Sequence, residues 1–290
     1  MRADLQDKID YSVNLLRRAE KLALAYDPAG GFHLAFSGGK DSQALYHVAK
    51  LAGVKFHAVM NFTSVDPPEL IRFIRQNYPD VETVAPRASI YNVAREKGLL
   101  PTRLKRWCCR VYKEGAGAGK VTLIGIRHAE STQRSRRNEV ELNNRKFSGT
   151  LDQLETYREQ EAARRRRRKE KNRPEPISIV NAKGEHVAGC IMGKESLLIS
   201  PIIHWSTADV WDFLNEVVHV PHCSLYDEGW HRIGCIGCPM SNKKQKLREL
   251  ERWPHVHAKW VQVIMDINTG AIAGLKSKLR AATPPPISAS

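Results

Sequence analysis

The sequence lacks any long hydrophobic run. No stretch approaches the roughly 18 consecutive apolar residues that a membrane-spanning helix needs. The segment from Met1 to Asp27 is charged throughout, and its apolar spacing predicts an amphipathic helix where a secretion signal would need an apolar core. We therefore expect a cytoplasmic protein without a membrane partner.

Cysteine is also scarce, with six among 290 residues. Without a secretion signal, such a number favours metal binding or catalysis over disulfide bonds, because the cytoplasm keeps thiols reduced. The apolar fraction of 42% is sufficient for a hydrophobic core. A chain of this length predicts one large domain or two small ones.

The common phosphate-binding motif G-x-x-x-x-G-K-[ST] is missing. Gly39 and Lys40 match its end, but Leu34 stands at the first glycine and Asp41 replaces the final hydroxyl. A different loop is still predicted between an apolar strand and a helix, because glycines and a helix N-terminus bind anions. The alternative is a tight turn with an ordinary cap. The candidate phosphate ligands are Ser37, Gly38, Gly39, Lys40, Asp41 and Ser42.

Strand-like and helix-like segments alternate as far as residue 126. Such alternation predicts parallel β-α-β units, and hence an α/β fold. Ligands of these sheets bind beyond the carboxyl ends of the strands. Both residues 37–42 and Arg127 follow predicted strands, so we expect them to lie at the same edge.

Positive charge is unevenly distributed. The formal net charge is +15, and residues 164–173 read RRRRRKEKNR. The excess favours a polyanionic partner, although basic decoration of a soluble enzyme would look the same. We interpret the block as a solvated, mobile arm. The predicted organisation is a core with an N-terminal helix (1–140), a basic flexible insertion (141–176), the C-terminal part of the same domain (177–268) and a tail (269–290).

Four cysteines form two close pairs, Cys108-Cys109 and the C-x-x-C of Cys235 and Cys238. Four thiolates suit tetrahedral zinc or an iron–sulfur cluster. The adjacent pair is awkward for one zinc ion, whereas a cluster spreads its thiolates over separate irons. Buried free cysteines are the remaining alternative.

Arginines follow the strand predicted at 121–126, in the stretch GIRHAESTQRSRR. Arginine forks bind phosphate or sulfate through two parallel hydrogen bonds. Arg127 and Arg134 are therefore candidate anion ligands, and Glu130 is placed to orient one of them. A solvated basic loop is the alternative interpretation.

Several motifs agree in order with one family. The sequence SGGKDS resembles the PP-loop of the adenine nucleotide α-hydrolase superfamily, and GIRHAESTQR resembles the G-x-R-x-x-E-S-x-x-R of phosphoadenosine-phosphosulfate (PAPS) reductases. Residues 200–238 resemble the segment of that family that contains D-V-W, L-Y-D-x-G and I-G-C. The cysteine pairs are similar to the [4Fe–4S] ligands of adenylyl-sulfate reductases.

The resemblance implies a doubly wound parallel sheet with a cysteine-bearing C-terminal helical part. It implies that residues 37–42 cradle the phosphates of ATP or a sulfonucleotide, with Mg²⁺ as a further candidate ligand. By the same resemblance Arg127 and Arg134 contact the phosphate or sulfate end and Glu130 belongs to the nucleotide site. Lys40, Asp41 and Arg127 are the implied catalytic residues. The implied ligands of a [4Fe–4S] cluster, or of zinc as the second candidate, are Cys108, Cys109, Cys235 and Cys238.

One departure affects the expected reaction. Sulfite-forming reductases of the family carry a nucleophilic cysteine in a C-terminal E-C-G-[IL]-H motif, and here no cysteine follows Cys238. The PAPS-reductase-like subunit of DNA phosphorothioation systems resembles the sequence better. Our leading hypothesis is an enzyme for nucleotide-dependent sulfur transfer to nucleic acid. Residues 164–173 would bind the nucleic acid, and a partner protein would donate the sulfur or the electrons.

Two alternatives stay open. The first is a PAPS or adenylyl-sulfate reductase that uses an external thiol, or Cys223 as an internal substitute. The second is a non-catalytic relative that binds nucleic acid and keeps a structural cluster. The convergent phosphate ligands Lys40, Arg127 and Arg134 argue against this second alternative, because a scaffold does not need them.

Overall fold

The computed structural model describes residues 3–113, 115–143, 146–170 and 195–282, without the side chains of 165, 168–170 and 271–282. These residues form two compact units. The sheet unit comprises the described residues within Met1–Asn61, Pro68–Val84 and Lys113–Ile233, and the cysteine unit comprises those within Phe62–Pro67, Ala85–Tyr112 and Gly234–Ser290. Each unit is assembled from three separate stretches of chain, a division that periodicity along the sequence does not express.

The elements of the sheet unit are α1 (Ala3–Tyr26), β1 (Phe32–Ala35), α2 (Lys40–Ala52), β2 (Phe56–Asn61), α3 (Pro68–Asn77), β3 (Glu82–Val84), β4 (Val121–Leu123), β5 (Val140–Leu142), β6 (Ser148–Gly149), α6 (Leu151–Glu170), β7 (Leu197–Ile199) and α7 (Thr207–Asp212). Those of the cysteine unit are α4 (Ile90–Lys97), α5 (Trp107–Tyr112), α8 (Lys243–Arg252) and α9 (Pro254–Ala282). A 3₁₀ turn at His128–Glu130 follows β4, and a π-helical turn at Phe213–Val217 extends α7.

Seven strands form one sheet in the order β3-β2-β1-β4-β7-β5-β6. The first five are parallel to their neighbours, with Leu34 of β1 opposite Ala58 of β2 and Leu123 of β4. β5 and β6 add an antiparallel edge beside β7. Since β1 has its successor on one side and β4 on the other, the strand order reverses there, and the predicted doubly wound α/β fold is confirmed.

Helix ends follow the local signals in the sequence. Ser89 caps α4 through its hydroxyl, and Gly98 ends that helix with a φ of 58°. Ser206 and Asp209 form a capping box at the start of α7. These signals act over three or four residues, so the chain conforms to them with little help from distant contacts.

The expectation of irregular chain from residue 141 onward needs correction. The described part of that stretch holds β5, β6 and the 20-residue helix α6. The three residues of β5 are buried because they continue the sheet. In α6, Leu151 and Leu154 are buried, while the later arginines give no apolar stripe. Residues 171–176, and the start of the predicted segment 177–268, lie outside the described residues.

The segment that begins at residue 243 contains two helices, α8 and α9. The chain breaks at Trp253, because Pro254 removes a backbone donor and is tolerated at the first helical position of α9. That helix continues to Ala282, through most of the predicted tail 269–290. Among the described residues, none of the helices combines the length and apolarity that crossing a membrane would require.

The cysteine unit has its own packing. The ring centroids of Tyr91 in α4 and Trp260 in α9 lie 4.9 Å apart. Arg95 Nε donates to Asp266 Oδ2 at 2.7 Å between the same two helices. These contacts join α4 to α9, and the backbone N–H of Ile236 donates to Val65 O at 2.8 Å, which ties the C-x-x-C turn to residues 62–67.

Candidate functional site

The loop after β1 has a conformation that its glycines permit. Gly38 has a φ of 69°, and a Cβ there would lie 2.7 Å from Ile74 and 2.8 Å from Leu70. Ser42 Oγ accepts from Ser37 N at 3.2 Å and donates to Gly39 O at 2.9 Å. The loop is therefore closed on itself and opens α2 with its backbone N–H groups, as an anion-binding loop requires.

The chain after β4 runs close to this loop. A Cβ on Gly125 would lie 2.9 Å from Asp41 O, so the two loops touch through backbone. Because the strand order reverses between β1 and β4, this edge is the place where doubly wound sheets bind ligands. The structure thus brings the predicted loop and the predicted arginine segment together.

Three charged groups form a chain at this edge. Arg127 Nε donates to Asp41 Oδ1 at 2.7 Å, and Lys40 Nζ lies 3.3 Å from Asp41 Oδ2. Lys40 Nζ also lies 3.4 Å from His231 O. Asp41 is shared by two cations. Its negative charge is thereby neutralised, so the carboxylate repels a phosphate at the neighbouring loop less strongly.

Arg127 is one of the most buried large side chains, 1% exposed. Its guanidinium donates to Trp205 O at 3.1 Å and to Thr207 Oγ1 at 3.4 Å, in addition to Asp41. In this structure the guanidinium therefore links the loop after β1 to the start of α7. Its contact with phosphate or sulfate stays a prediction.

Glu130 and Arg134 lie on the turn after β4. Glu130 accepts the backbone N–H of Arg127 at 3.1 Å and forms an ion pair with the Arg134 guanidinium. Glu130 thus orients an arginine, as the sequence suggested. The Arg134 side chain is 29% exposed, so it can reach solvent and an anion.

Beside Lys40 lies a cleft of about 470 Å³. The other residues that line it were not among the predicted site residues. They are Thr207, Trp211, Asn215, His222, Tyr226, Asp227, Gly229, Trp230 and His231. Tyr226 packs edge-on against Trp211 with ring centroids 4.9 Å apart, and its Oη accepts the backbone N–H of Lys40 at 2.8 Å. The L-Y-D-x-G motif contained the signal, but nothing in it indicates that tyrosine reaches the loop.

The paired thiols all belong to the cysteine unit. Cys108 and Cys109 lie on α5, and Cys235 and Cys238 lie in the turn before α8. Hydrogen bonding to Cys109 and then burial raise the pKa of the Cys108 thiol, with a smaller effect from Cys235, so these three thiols are neighbours. Arg106 donates to Cys109 Sγ at 3.3 Å and Thr63 donates to Cys235 Sγ at 3.4 Å.

The donor set bears on which metal group these thiols would suit. Within the described ranges, no three His, Cys, Asp or Glu side chains converge on a point where one metal ion would sit. A [4Fe–4S] cluster places its thiolates on separate irons, so it accepts wider spacing than zinc. The four thiols fit such a cluster in number and chemistry, and the assignment stays a prediction.

Cys223 differs from the paired thiols. It lies in the sheet unit, is fully buried, and burial raises the pKa of its thiol. Because the thiolate is the reactive form, such a cysteine is a poor nucleophile. The structure therefore gives no support to Cys223 as an internal substitute.

With this geometry established, comparison with known proteins gives the family. Residues 31–241 match the phosphoadenosine phosphosulfate reductase domain. The chain belongs to that family. The match spans the loop, the arginine segment, the cleft and all four paired cysteines, so the order of motifs predicted from the sequence is that of a single family domain.

Individual relatives are more distant. An uncharacterized protein of Methanocaldococcus jannaschii is 27% identical over 234 residues, 79% of this chain and 46% of the relative. A second uncharacterized protein of that organism is 23% identical over 80% of this chain and 41% of its own length. The chain thus spans less than half the length of these curated relatives.

Shorter matches carry more specific names. An adenosine 5′-phosphosulfate reductase of Oceanobacillus iheyensis is 32% identical over 59 residues, 20% of this chain and 24% of the relative. Among solved structures, a phosphate complex of PAPS reductase from Candida auris aligns with a TM-score of 0.40 at 15% identity, over 79% of this chain and 95% of that one.

Proposed function

We propose that the sheet unit binds an adenine nucleotide and that chemistry takes place at the α-phosphate of this nucleotide. The observation that carries the proposal is the position of the Lys40 ammonium, which lines the cleft beside a closed glycine loop where the strand order reverses. Backbone N–H groups of the loop and the ammonium would neutralise the phosphate chain as it departs. Membership of the family supports a nucleotide as the ligand.

Our finer proposal is sulfur transfer to nucleic acid. A non-bridging oxygen of a nucleic-acid phosphate would attack the α-phosphorus of ATP, forming a P–O bond and releasing pyrophosphate. Sulfur at the oxidation level of hydrosulfide would then form a P–S bond at the acceptor phosphorus, and AMP would leave with the original oxygen. The proton of the hydrosulfide passes to solvent, and no net oxidation occurs.

Charge supports a nucleic-acid acceptor. Arg164, Arg166 and Arg167 are exposed on α6, within a chain of net charge +15. Cationic side chains on one helix displace counterions from nucleic-acid phosphates, which makes binding strongly salt-dependent. The same charge would be expected of a solvated helix, so salt dependence alone does not identify the acceptor.

The paired thiols would hold a [4Fe–4S] cluster through Cys108, Cys109, Cys235 and Cys238. When bound, such a cluster supplies one-electron redox chemistry. Arg106 and Thr63 donate hydrogen bonds to two of the sulfurs, and donors of this kind tune a cluster's reduction potential.

Product analysis tests the proposal. The chain, purified without oxygen, is incubated with ATP, adenylyl sulfate or PAPS in parallel, with and without DNA or RNA. Pyrophosphate and AMP from ATP, in amounts that require nucleic acid and a sulfide source, are expected. Lys40→Ala should abolish this turnover, whereas Lys50→Ala, on the exposed end of the same helix, should retain it. Turnover that persists in Lys40→Ala would contradict the assignment of the loop.

A second candidate is a sulfonucleotide reductase that uses an external thiol. It is favoured by the short match to adenosine 5′-phosphosulfate reductase and by burial of Cys223, which leaves attack on sulfur to a thiol from elsewhere. That thiolate would form an S–S bond to the sulfo group as the S–O bond to the nucleotide breaks, releasing AMP from adenylyl sulfate or adenosine 3′,5′-bisphosphate from PAPS. A second thiol would then release sulfite and leave a disulfide. Sulfite from adenylyl sulfate or PAPS, formed only with added thiol, would establish this reaction.

A further inference from the structure

We propose that Tyr226 is a phosphate-binding residue, whose phenolic O–H donates to an anionic oxygen of the nucleotide bound at the loop. This inference rests on the proposed function and adds to it a residue that lines the cleft but lies outside the glycine loop. It concerns how the phosphates are held, and is independent of whether sulfur goes to nucleic acid or leaves as sulfite.

The first step is the hydrogen bond that Tyr226 already makes. Its Oη accepts the backbone N–H of Lys40, the first residue of α2, at 2.8 Å. That N–H is one of the donors that a helix leaves without an intrahelical partner. The phenol therefore lies directly on the anion-binding end of α2, and a Cβ on Gly39 would lie 3.5 Å from its oxygen.

The second observation is that the phenolic hydrogen of Tyr226 takes no part in this hydrogen bond. A phenol can donate one hydrogen bond as well as accept. Tyr226 Oη accepts a hydrogen bond from Lys40, and among the described residues it donates to no side chain or carbonyl. Burial raises the pKa of Tyr226, so the phenol keeps its proton. The O–H therefore has no acceptor among the described residues and faces the cleft, where the oxygens of a phosphate would be strong acceptors.

The third observation is that the Lys40 side chain lies near Tyr226. Its ammonium lines the same cleft and lies 5.9 Å from the centroid of the Tyr226 ring. Its contacts with Asp41 Oδ2 and His231 O are long, at 3.3 Å and 3.4 Å. The cleft thus presents a cation and a neutral donor side by side, a combination that suits a phosphoryl or sulfo group.

Tyr226 could instead be a plug that a nucleotide must displace. Its packing opposes this, since the ring stands edge-on to Trp211 at 4.9 Å and near His222 at 6.1 Å. Other backbone N–H groups of the loop donate to no acceptor among the described residues. They belong to Gly38, Gly39, Asp41 and Ser42. A phosphate can use these while Tyr226 stays in place.

The two roles give opposite results for Tyr226→Phe. We would measure, by calorimetry on the full chain, the affinities for ATP, adenylyl sulfate, PAPS and adenosine. The matched control is Tyr78→Phe, which removes a buried hydroxyl of the sheet unit that contacts His47 at 3.2 Å and does not line the cleft.

If Tyr226 binds phosphate, Tyr226→Phe weakens binding of the phosphorylated ligand about 10- to 100-fold, the range for a hydrogen bond to a charged group. Adenosine binding and the affinities of Tyr78→Phe stay at wild-type values. Equal or tighter nucleotide binding by Tyr226→Phe overturns the inference, and tighter binding identifies a plug. A wild-type chain that binds none of these ligands overturns the proposed function itself, and this role with it.

Discussion

The two candidate sites differ in how their chemical groups are satisfied. In the sheet unit, Lys40, Asp41 and Arg127 neutralise one another, and Arg127 is anchored further on Trp205 O. In the cysteine unit, Cys108 lies against two other thiols that raise its pKa. The first site is organised by the protein before any ligand arrives, whereas the second brings several thiols together, and the thiolate form of Cys108 is disfavoured by its neighbours.

The largest effect is expected where organisation depends on a bound group. Cys235→Ser should abolish iron incorporation and greatly lower the thermal stability of the cysteine unit, because binding of a structural metal site contributes directly to folding. Iron and acid-labile sulfide per chain, with hydrogen exchange of peptides from α5, measure it. Exchange in α2 of the sheet unit should change little.

Cys223→Ser is the matched control for this substitution, since it removes a single buried thiol from the sheet unit. It should keep full iron content. If Cys235→Ser also keeps its iron, or if zinc alone is recovered from the wild-type chain, the assignment of these thiols to an iron–sulfur cluster is wrong.

The next effect concerns the sheet unit. Arg127→Met removes the shared partner of Asp41, Trp205 and Thr207 and should destabilise this unit by about 3 kcal/mol, because a buried charge network loses its centre. Arg134→Met, which breaks the more exposed ion pair with Glu130, should cost under about 1 kcal/mol. Urea unfolding followed by tryptophan fluorescence measures both. Equal costs would mean that Arg127 is free to serve mainly as a substrate ligand.

A smaller effect tests the loop backbone. Gly38→Ala combines the strain of a φ of 69° with contacts of 2.7 Å and 2.8 Å to Ile74 and Leu70, about 2–4 kcal/mol together. Gly53→Ala has the same φ but nothing within 4 Å of its Cβ, so it should cost about 1 kcal/mol. Unfolding and nucleotide affinity are compared in both variants. Equal destabilisation would show that packing against α3 does not shape the loop.

The parts of the molecule that the sequence predicted are those governed by local signals. The glycine loop and the alternation of strands and helices were predicted from signals that act within a few residues. Their positions after predicted parallel strands then placed the loop and Arg127 at one edge of the sheet. The same reasoning could not find Tyr226, which lies 186 residues from Lys40 in sequence and is brought to the loop by the fold.

One wrong prediction, the flexible chain at α6, and one unforeseen feature, the burial of Arg127, also have local explanations. The basic run of α6 has no apolar period, so hydrophobic pattern could not predict a helix there. Burial of Arg127 was equally invisible, since an arginine after a strand looks the same whether it faces a ligand or a backbone carbonyl. Side-chain direction depends on Trp205 and Thr207, about 80 residues later in the chain.

The smallest effect comes from the cap that links local signal to site. Ser206 Oγ accepts the Asp209 N–H at 3.1 Å, and Asp209 Oδ2 accepts the Ser206 N–H at 2.7 Å. Ser206→Ala should cost about 1 kcal/mol. Because Ser206 lies between Trp205 and Thr207, both of which contact Arg127, nucleotide affinity should also fall by a few-fold. Ser89→Ala, which removes a cap of the cysteine unit, should leave affinity unchanged. If both variants lose stability but neither loses affinity, the caps fix only helix ends and the anchoring of Arg127 does not depend on them.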